Sequence, residues 1–334
     1  MKKMKILLTR SMLQKDIDYI RFGLDKQISG QYEFVVPSDF SEETLAAEAE
    51  DADVLLGPYV TVGMIEGAKK LKLIQVPWTG MDTFDFTAVR GSGITVCNTH
   101  SNANAVCEFG VALTLDLLKK VSFHDRKMRQ GDWNRGQKPL DLTSRMLSDQ
   151  TVCILGYGNI GRRLGKIFSA FGSEIIAVDY CHAEDGVASE FYTPDTFEKA
   201  LPKADIVISA LPLTGGTRGF INGDTLRRMK DGVLIVNLSR APIVDEDALY
   251  DGLQSGKVGG FAADVWWNTP KRGESQSYPS VRHEFTALDN VVLSPHRAGF
   301  IENSLPHLDG AIENVIRLAL GQELKDVVDV ENQY

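Results

Sequence analysis

Gly156, Gly158 and Gly161 stand at the spacing G-x-G-x-x-G, directly after the apolar run Thr151–Leu155 and directly before a helical pattern. The spacing alone means little, because glycine is common. The strand before it, the helix after it and Asp179 closing the next apolar run, Glu174–Val178, together describe a loop built to hold a dinucleotide. Gly156 allows the tight turn. Gly158 lets the backbone approach a pyrophosphate whose charge sits on the helix N-terminus, and Gly161 lets that helix pack against the sheet. A carboxylate at position 179 accepts hydrogen bonds from ribose hydroxyls and repels a 2′-phosphate. The next residues, Tyr180, Cys181 and His182, include no arginine to receive such a phosphate, so the expected cofactor is NAD rather than NADP. The plainer reading of Asp179 is a solvated strand-end aspartate.

Three further polar residues, Arg240, Asp264 and His296, each follow an apolar strand in the same half of the chain. In an open α/β sheet, ligands bind outside the carboxyl ends of the strands, which places all three in the crevice expected to hold the nicotinamide.

Two successive strand–helix series are needed to position these groups. Strand-like runs at 5–9, 32–36, 54–57, 73–76 and 94–97 predict a first small doubly wound domain. Runs beginning at Thr151 and continuing at 175–178, 206–210, 233–237, 260–265 and 291–294 predict a parallel sheet around the cofactor. Between them, Val106, Phe109, Leu113 and Leu117 fall at helical spacing and mark a largely buried helix at a domain or subunit boundary. The polar segment 122–148 is expected as a loop or an arm reaching a partner. Ile312, Val315, Ile316 and Leu318 fit a last helix, and Asp326–Val330 a terminal strand.

The 334 residues suffice for two domains. A hydrophobic content of 43%, a charged content of 24% and a net charge of −9 fit a globular protein with no basic footprint for nucleic acid. No run reaches the length of a membrane span, and Ile6-Leu7-Leu8 is too short for a signal sequence, which makes cytoplasm the expected compartment. The four cysteines, Cys97, Cys107, Cys153 and Cys181, have no C-x-x-C spacing and read as thiols.

Taken together, the residues resemble the D-isomer-specific 2-hydroxyacid dehydrogenases over nearly the whole chain. The likeness is carried by the glycine turn, Leu211-Pro212-Leu213-Thr214 with Thr217-Arg218, the Asn237–Leu249 segment and Ser294-Pro295-His296, with 73–82 and 98–108 matching the family's substrate-domain loops. The resemblance implies two doubly wound α/β domains: a Rossmann NAD-binding domain, residues 102–299, inserted in a flavodoxin-like substrate domain formed by residues 1–101 and 300–334. It implies a homodimer built through the 105–150 region and a small 2-keto or 2-hydroxy acid as substrate. Arg240 would clamp the substrate carboxylate, and His296 would exchange a proton with the substrate oxygen as hydride moves to or from carbon. Backbone amides of Thr79, Gly80 and Met81 would help hold the carboxylate, with Trp78 and Asn102 beside them, and Asp264 would bind the nicotinamide carboxamide. Asn159, Ile160, Leu211, Pro212, Thr217, Leu238, Ser239, His296 and Gly299 would complete the cofactor contacts. No metal is implied.

The chain departs from the family pattern in several places. The family carries Glu before the proline in the segment after Asp264, where it pairs with the histidine, and here Thr269 precedes Pro270. A hydroxyl orients an imidazole but lends no charge to its cation. Glu274 or Glu284 is the candidate substitute. Ala241 replaces a glycine and His100 a proline, and Trp78, Trp266 and Trp267 are bulky residues near the expected cleft. Two alternatives stay open on sequence: hydride abstraction from a small oxyanion in the manner of formate dehydrogenases, with which Thr269 and Asn102 are compatible, and an NAD-sensing, corepressor-like binding protein.

Overall fold

The computed structural model describes residues 3–133, 143–181, 185–271, 274–302 and 304–333. They divide into two compact units, one of residues Met1–Asn102 with Gly299–Tyr334, the other of Ala103–Ala298.

The first unit begins β1 (Met4–Leu8), α1 (Gln14–Ile28), β2 (Tyr32–Val35), α2 (Glu42–Ala49), β3 (Val54–Leu56), α3 (Val62–Gly67), β4 (Leu73–Gln75), β5 (Thr95–Cys97). The second contains α4 (Ala103–Lys119), α5 (Val121–Arg129), β6 (Thr151–Leu155), α6 (Asn159–Ala170), β7 (Glu174–Val178), β8 (Glu190–Tyr192), β9 (Ile206–Ser209), α7 (Gly223–Arg228), β10 (Val233–Asn237), α8 (Glu246–Ser255), β11 (Val258–Ala263) and β12 (Val291–Leu293). The chain then returns to the first unit with α9 (Pro306–Ala319). Strand order is β2-β1-β3-β4-β5 in one sheet and β12-β11-β10-β9-β6-β7-β8 in the other, with every paired neighbour parallel.

Each sheet is apolar on both faces, as parallel sheets are, and the alternation along a strand sorts side chains between two layers. In the second unit Val152, Ile154, Ile208, Val236 and Ala262 face one core with residues of α4 and α6. Their neighbours Cys153, Leu155, Val207, Ile235 and Phe261 face the other, with residues of α7 and α8. In the first unit Leu7, Leu55, Ile74 and Val96 pack with α2 and α3, and Ile6, Leu8, Val54 and Leu56 with α1 and α9.

Several expected elements differ. Asp326–Val330 is not a strand: a single antiparallel bridge joins Val327 to Cys97, and Asp326 itself is left-handed (φ 51°), which breaks extended pairing. The polar segment 122–148 contains a helix, α5, with no buried residue, and its stretch 134–142 lies outside the described residues, as does His182. The sequence reading also missed β8, a three-residue edge strand with no fully buried residue, and two leading residues of β11.

Candidate active site

The glycine turn at the end of β6 is fixed by close backbone approach. Gly156 has φ 88°, and a Cβ there would come within 2.8 Å of the Ala210 backbone. A Cβ on Gly161 would lie 2.1 Å from the Gly156 carbonyl oxygen, so the first turn of α6 packs directly on the loop. At Gly158 a Cβ would meet nothing within 4 Å, leaving open space over the start of α6. No side chain caps that helix, so its first N–H groups face the same space. This cradle fits a pyrophosphate, with Asn159 exposed beside it and Ile160 packed into the core.

Asp179 is tied to the turn. Its Oδ2 accepts the Tyr157 N–H at 2.7 Å and its Oδ1 the Cys181 N–H at 3.3 Å. A carboxylate has about four lone-pair positions, so acceptor capacity remains for two ribose hydroxyls. The loop after β9 is closed by its own threonine: Thr217 Oγ1 donates to the Pro212 carbonyl at 2.6 Å and accepts the Thr214 N–H at 2.8 Å. Leu211 packs on the core and Pro212 is exposed.

Asn237, fully buried at the end of β10, shapes the turn that carries Arg240. Its Nδ2 donates to the Arg240 carbonyl at 3.0 Å and its Oδ1 accepts the Ser239 N–H at 3.0 Å. Ser239 pairs hydroxyls with Ser209 at 2.9 Å, and Leu238 sits over Gly110 of α4, where a Cβ would come within 2.4 Å of it. The side chains of Leu238 and Ser239 are thus used internally. Arg240 emerges half-buried, with Nη1 donating to the Ser239 carbonyl at 2.9 Å.

His296 is exposed and left-handed, with φ 58°. A non-glycine residue holds that conformation when its surroundings over-determine it. Here the clamp is Asp264, only 3% exposed. Its Oδ1 accepts the Ser294 hydroxyl and, at 2.7 Å, the Arg297 N–H, and its Oδ2 accepts the Ala298 N–H at 2.8 Å. Asp264 therefore holds the histidine loop from both sides, which leaves Oδ2 with one lone pair for a carboxamide. Trp266 adds an indole N–H to the Ser294 carbonyl at 2.8 Å. Both Trp266 and Trp267 pack with Phe261 and Phe285, which assigns them to the core beneath the loop.

Thr269, Glu274 and Glu284 are exposed. Glu274 accepts the Lys271 N–H at 3.1 Å, and among the described residues none of the three is hydrogen-bonded to His296.

In the first unit, the loops after β4 and β5 are knitted together. Asn98 Nδ2 donates to the Thr79 carbonyl at 2.8 Å, and the Thr79 hydroxyl lies 2.8 Å from the Thr99 carbonyl and 3.1 Å from Asn102 Oδ1. Met81 is buried in the core, so only its backbone is presented. Trp78 packs on the same core under the Arg10 guanidinium, 5.2 Å away, with Gly80 half-buried beside it. Gly299 opens the returning segment of this unit, where an added Cβ would lie 3.5 Å from Asn102 Nδ2. Burial pushes the Cys97 and Cys153 thiols up to about 12 and Cys107 up to about 11, while Cys181 is exposed. Among the described residues no group of three or more His, Cys, Asp or Glu side chains is placed to hold a metal ion, and no helix is long and apolar enough to cross a membrane.

A seven-stranded parallel sheet, an open glycine cradle on an uncapped helix and an acid at the end of β7 define an NAD-binding α/β protein. Residues 111–298 match the NAD-binding domain model of the D-isomer-specific 2-hydroxyacid dehydrogenases. The chain is 33% identical to a hydroxypyruvate reductase of Thermotoga maritima over 83% of its own length and 90% of the relative's. It is 30% identical to a glyoxylate reductase of Aeropyrum pernix over 99% and 97%. A solved structure from Pyrococcus horikoshii superposes with a TM-score of 0.77 at 26% identity, covering 99% of each chain. The chain belongs to the D-isomer-specific 2-hydroxyacid dehydrogenase family and is an NAD-dependent oxidoreductase.

Proposed function

We propose that this enzyme interconverts a small 2-keto acid and its 2-hydroxy acid, of D configuration wherever C2 is a stereocentre, with glyoxylate and hydroxypyruvate, the substrates that name its relatives, as the first candidates. The observation that carries the assignment of roles is the Asp264 clamp, which fixes the loop of the exposed His296, whose backbone is left-handed, at the ends of the cofactor-unit strands. NAD supplies the hydride acceptor, and NADH the hydride donor, for C2 of the substrate. In the cofactor unit Arg240 would bind the substrate carboxylate through its planar fork, and in the substrate unit the backbone amides of Thr79, Gly80 and Met81, with Trp78 and Asn102, are the groups offered to the keto acid. His296 gives its proton to the carbonyl oxygen as hydride reaches C2, so one keto acid, one NADH and one proton become one hydroxy acid and one NAD. Thr269, in the place of the family's Glu, would orient His296 without lending charge to its cation.

The domain roles follow: residues 1–101 and 300–334 recognise the substrate, and residues 102–299 hold the cofactor. We also place the enzyme in the cytoplasm and assign it a homodimer through the 105–150 region. That region exposes Val121, Met128, Trp133 and Met146, each more than half accessible, which suits a partner surface. The test is a substrate panel. NADH oxidation with glyoxylate, hydroxypyruvate and pyruvate supports the assignment; turnover of formate with NAD and none of these would replace it with hydride abstraction, and no turnover at all with a binding role.

A further inference from the structure

In the first unit, the returning segment delivers one residue to the loop after β5 at three points. The Asp326 carbonyl accepts the Asn98 N–H at 3.1 Å, and its Oδ2 accepts the His100 N–H at 3.1 Å. Its Oδ1 lies 3.1 Å from His100 Nδ1. The His100 imidazole holds the Asp326 carboxyl below the usual carboxylate range. Asp326 does this from a left-handed backbone, φ 51°, which strains any residue with a Cβ. The contacts made by its carbonyl and its carboxylate hold it in that conformation.

The residues on either side are anchored as well. Val328 N–H donates to the Val96 carbonyl at 2.9 Å, and buried Asn314 of α9 joins the Lys325 backbone to Gln75 Oε1 at the end of β4. From this scaffold the clamp reaches Asn98, whose amide holds the Thr79 carbonyl, and the Thr99–Asn102 stretch, which meets the Thr79 hydroxyl.

We infer that Asp326, with His100, is a positioning residue for substrate: it sets the β5 loop, and through it the backbone amides of Thr79–Met81 and the Asn102 side chain. This rests on the reading that those groups receive the keto acid. The clamp touches neither the glycine turn nor Asp179, so an unchanged affinity for NADH is expected.

Asp326→Gly tests it, because glycine adopts the left-handed backbone freely and keeps the carbonyl contact while removing the carboxylate. The expected result is a native or slightly raised Tm, an unchanged Kd for NADH, and KM for glyoxylate or hydroxypyruvate raised about tenfold, ~1.4 kcal/mol, with a smaller change in kcat. Asp326→Asn, which keeps one acceptor for the His100 N–H, is expected to recover part of that loss. Hydrogen–deuterium exchange on the 98–102 and 77–82 peptides supplies a readout independent of turnover, and both should exchange faster in Asp326→Gly. Unchanged exchange in a folded variant overturns the clamp. Faster exchange with an unchanged KM overturns its positioning role. If the native protein reduces no keto acid while exchange responds as expected, the substrate reading has failed and the loop clamp stands.

Discussion

Gly158 and Gly161 are three residues apart in the same turn, yet the structure assigns them opposite consequences when a methyl group is added. On Gly161 the new Cβ would sit 2.1 Å from the Gly156 carbonyl oxygen, a backbone atom in a turn already held at φ 88°. Neither partner can swing away, so α6 and the loop must separate. Overpacking of this kind costs about 1–3 kcal/mol, and the backbone contact puts Gly161→Ala at the upper end. For a unit of this size, about 3 kcal/mol lowers Tm by roughly 6–12 °C. On Gly158 the Cβ meets nothing within 4 Å, so no steric clash opposes Gly158→Ala, which should melt at a higher temperature than Gly161→Ala. The methyl instead fills the space over the α6 N-terminus. Loss of one charge-assisted hydrogen bond to a phosphate is worth about 1.5–3 kcal/mol, or roughly 10- to 100-fold in Kd for NADH. Calorimetric melting combined with NADH fluorescence titration reads both quantities. A Gly158→Ala protein that binds NADH within twofold of native, or a Gly161→Ala protein of native Tm, would refute this account of the cradle.

Three further outcomes are expected. Asp179→Ala should narrow a native preference for NADH over NADPH of at least about tenfold, measured as kcat/KM with each cofactor; equal use by the native protein would remove Asp179 from the ribose site. Arg240→Lys keeps a charge and loses the fork, so kcat/KM should fall by about 100-fold or more while Kd for NADH is unchanged; a near-native value would take Arg240 off the substrate. At pH 8 in the folded protein only Cys181 should react with a thiol reagent, since the other three thiols are held far above that pH, and denaturant should raise the count to the four present.

The cofactor unit was legible because its signals are local. The glycine spacing, the apolar run before it and Asp179 after it each occupy a few adjacent residues, and the structure sets them around one turn. The longer apolar runs announced their strands in the same way, whereas Glu190–Tyr192, short and at a sheet edge, carried no comparable pattern. Gly259 interrupts the start of β11 and hid its first two residues, although glycine is required there because a Cβ on it would strike the Gly232 carbonyl. What remained out of reach was the support around the reactive groups. Asp264 reads as a ligand contact in sequence, but its hydrogen bonds run mainly to backbone N–H groups more than thirty positions away, which no residue type reveals. The only available signal was a polar residue ending a buried strand, a feature Asn237 shares.

The most direct test of the central claim follows the hydride itself. NADH deuterated at C4 of the nicotinamide is incubated with the enzyme and hydroxypyruvate, and the glycerate formed is resolved by chiral chromatography with mass detection. Transfer to C2 by this fold is expected to yield D-glycerate carrying deuterium at C2. L-glycerate, or D-glycerate without the label when the transferable hydrogen of NADH was deuterium, would contradict it.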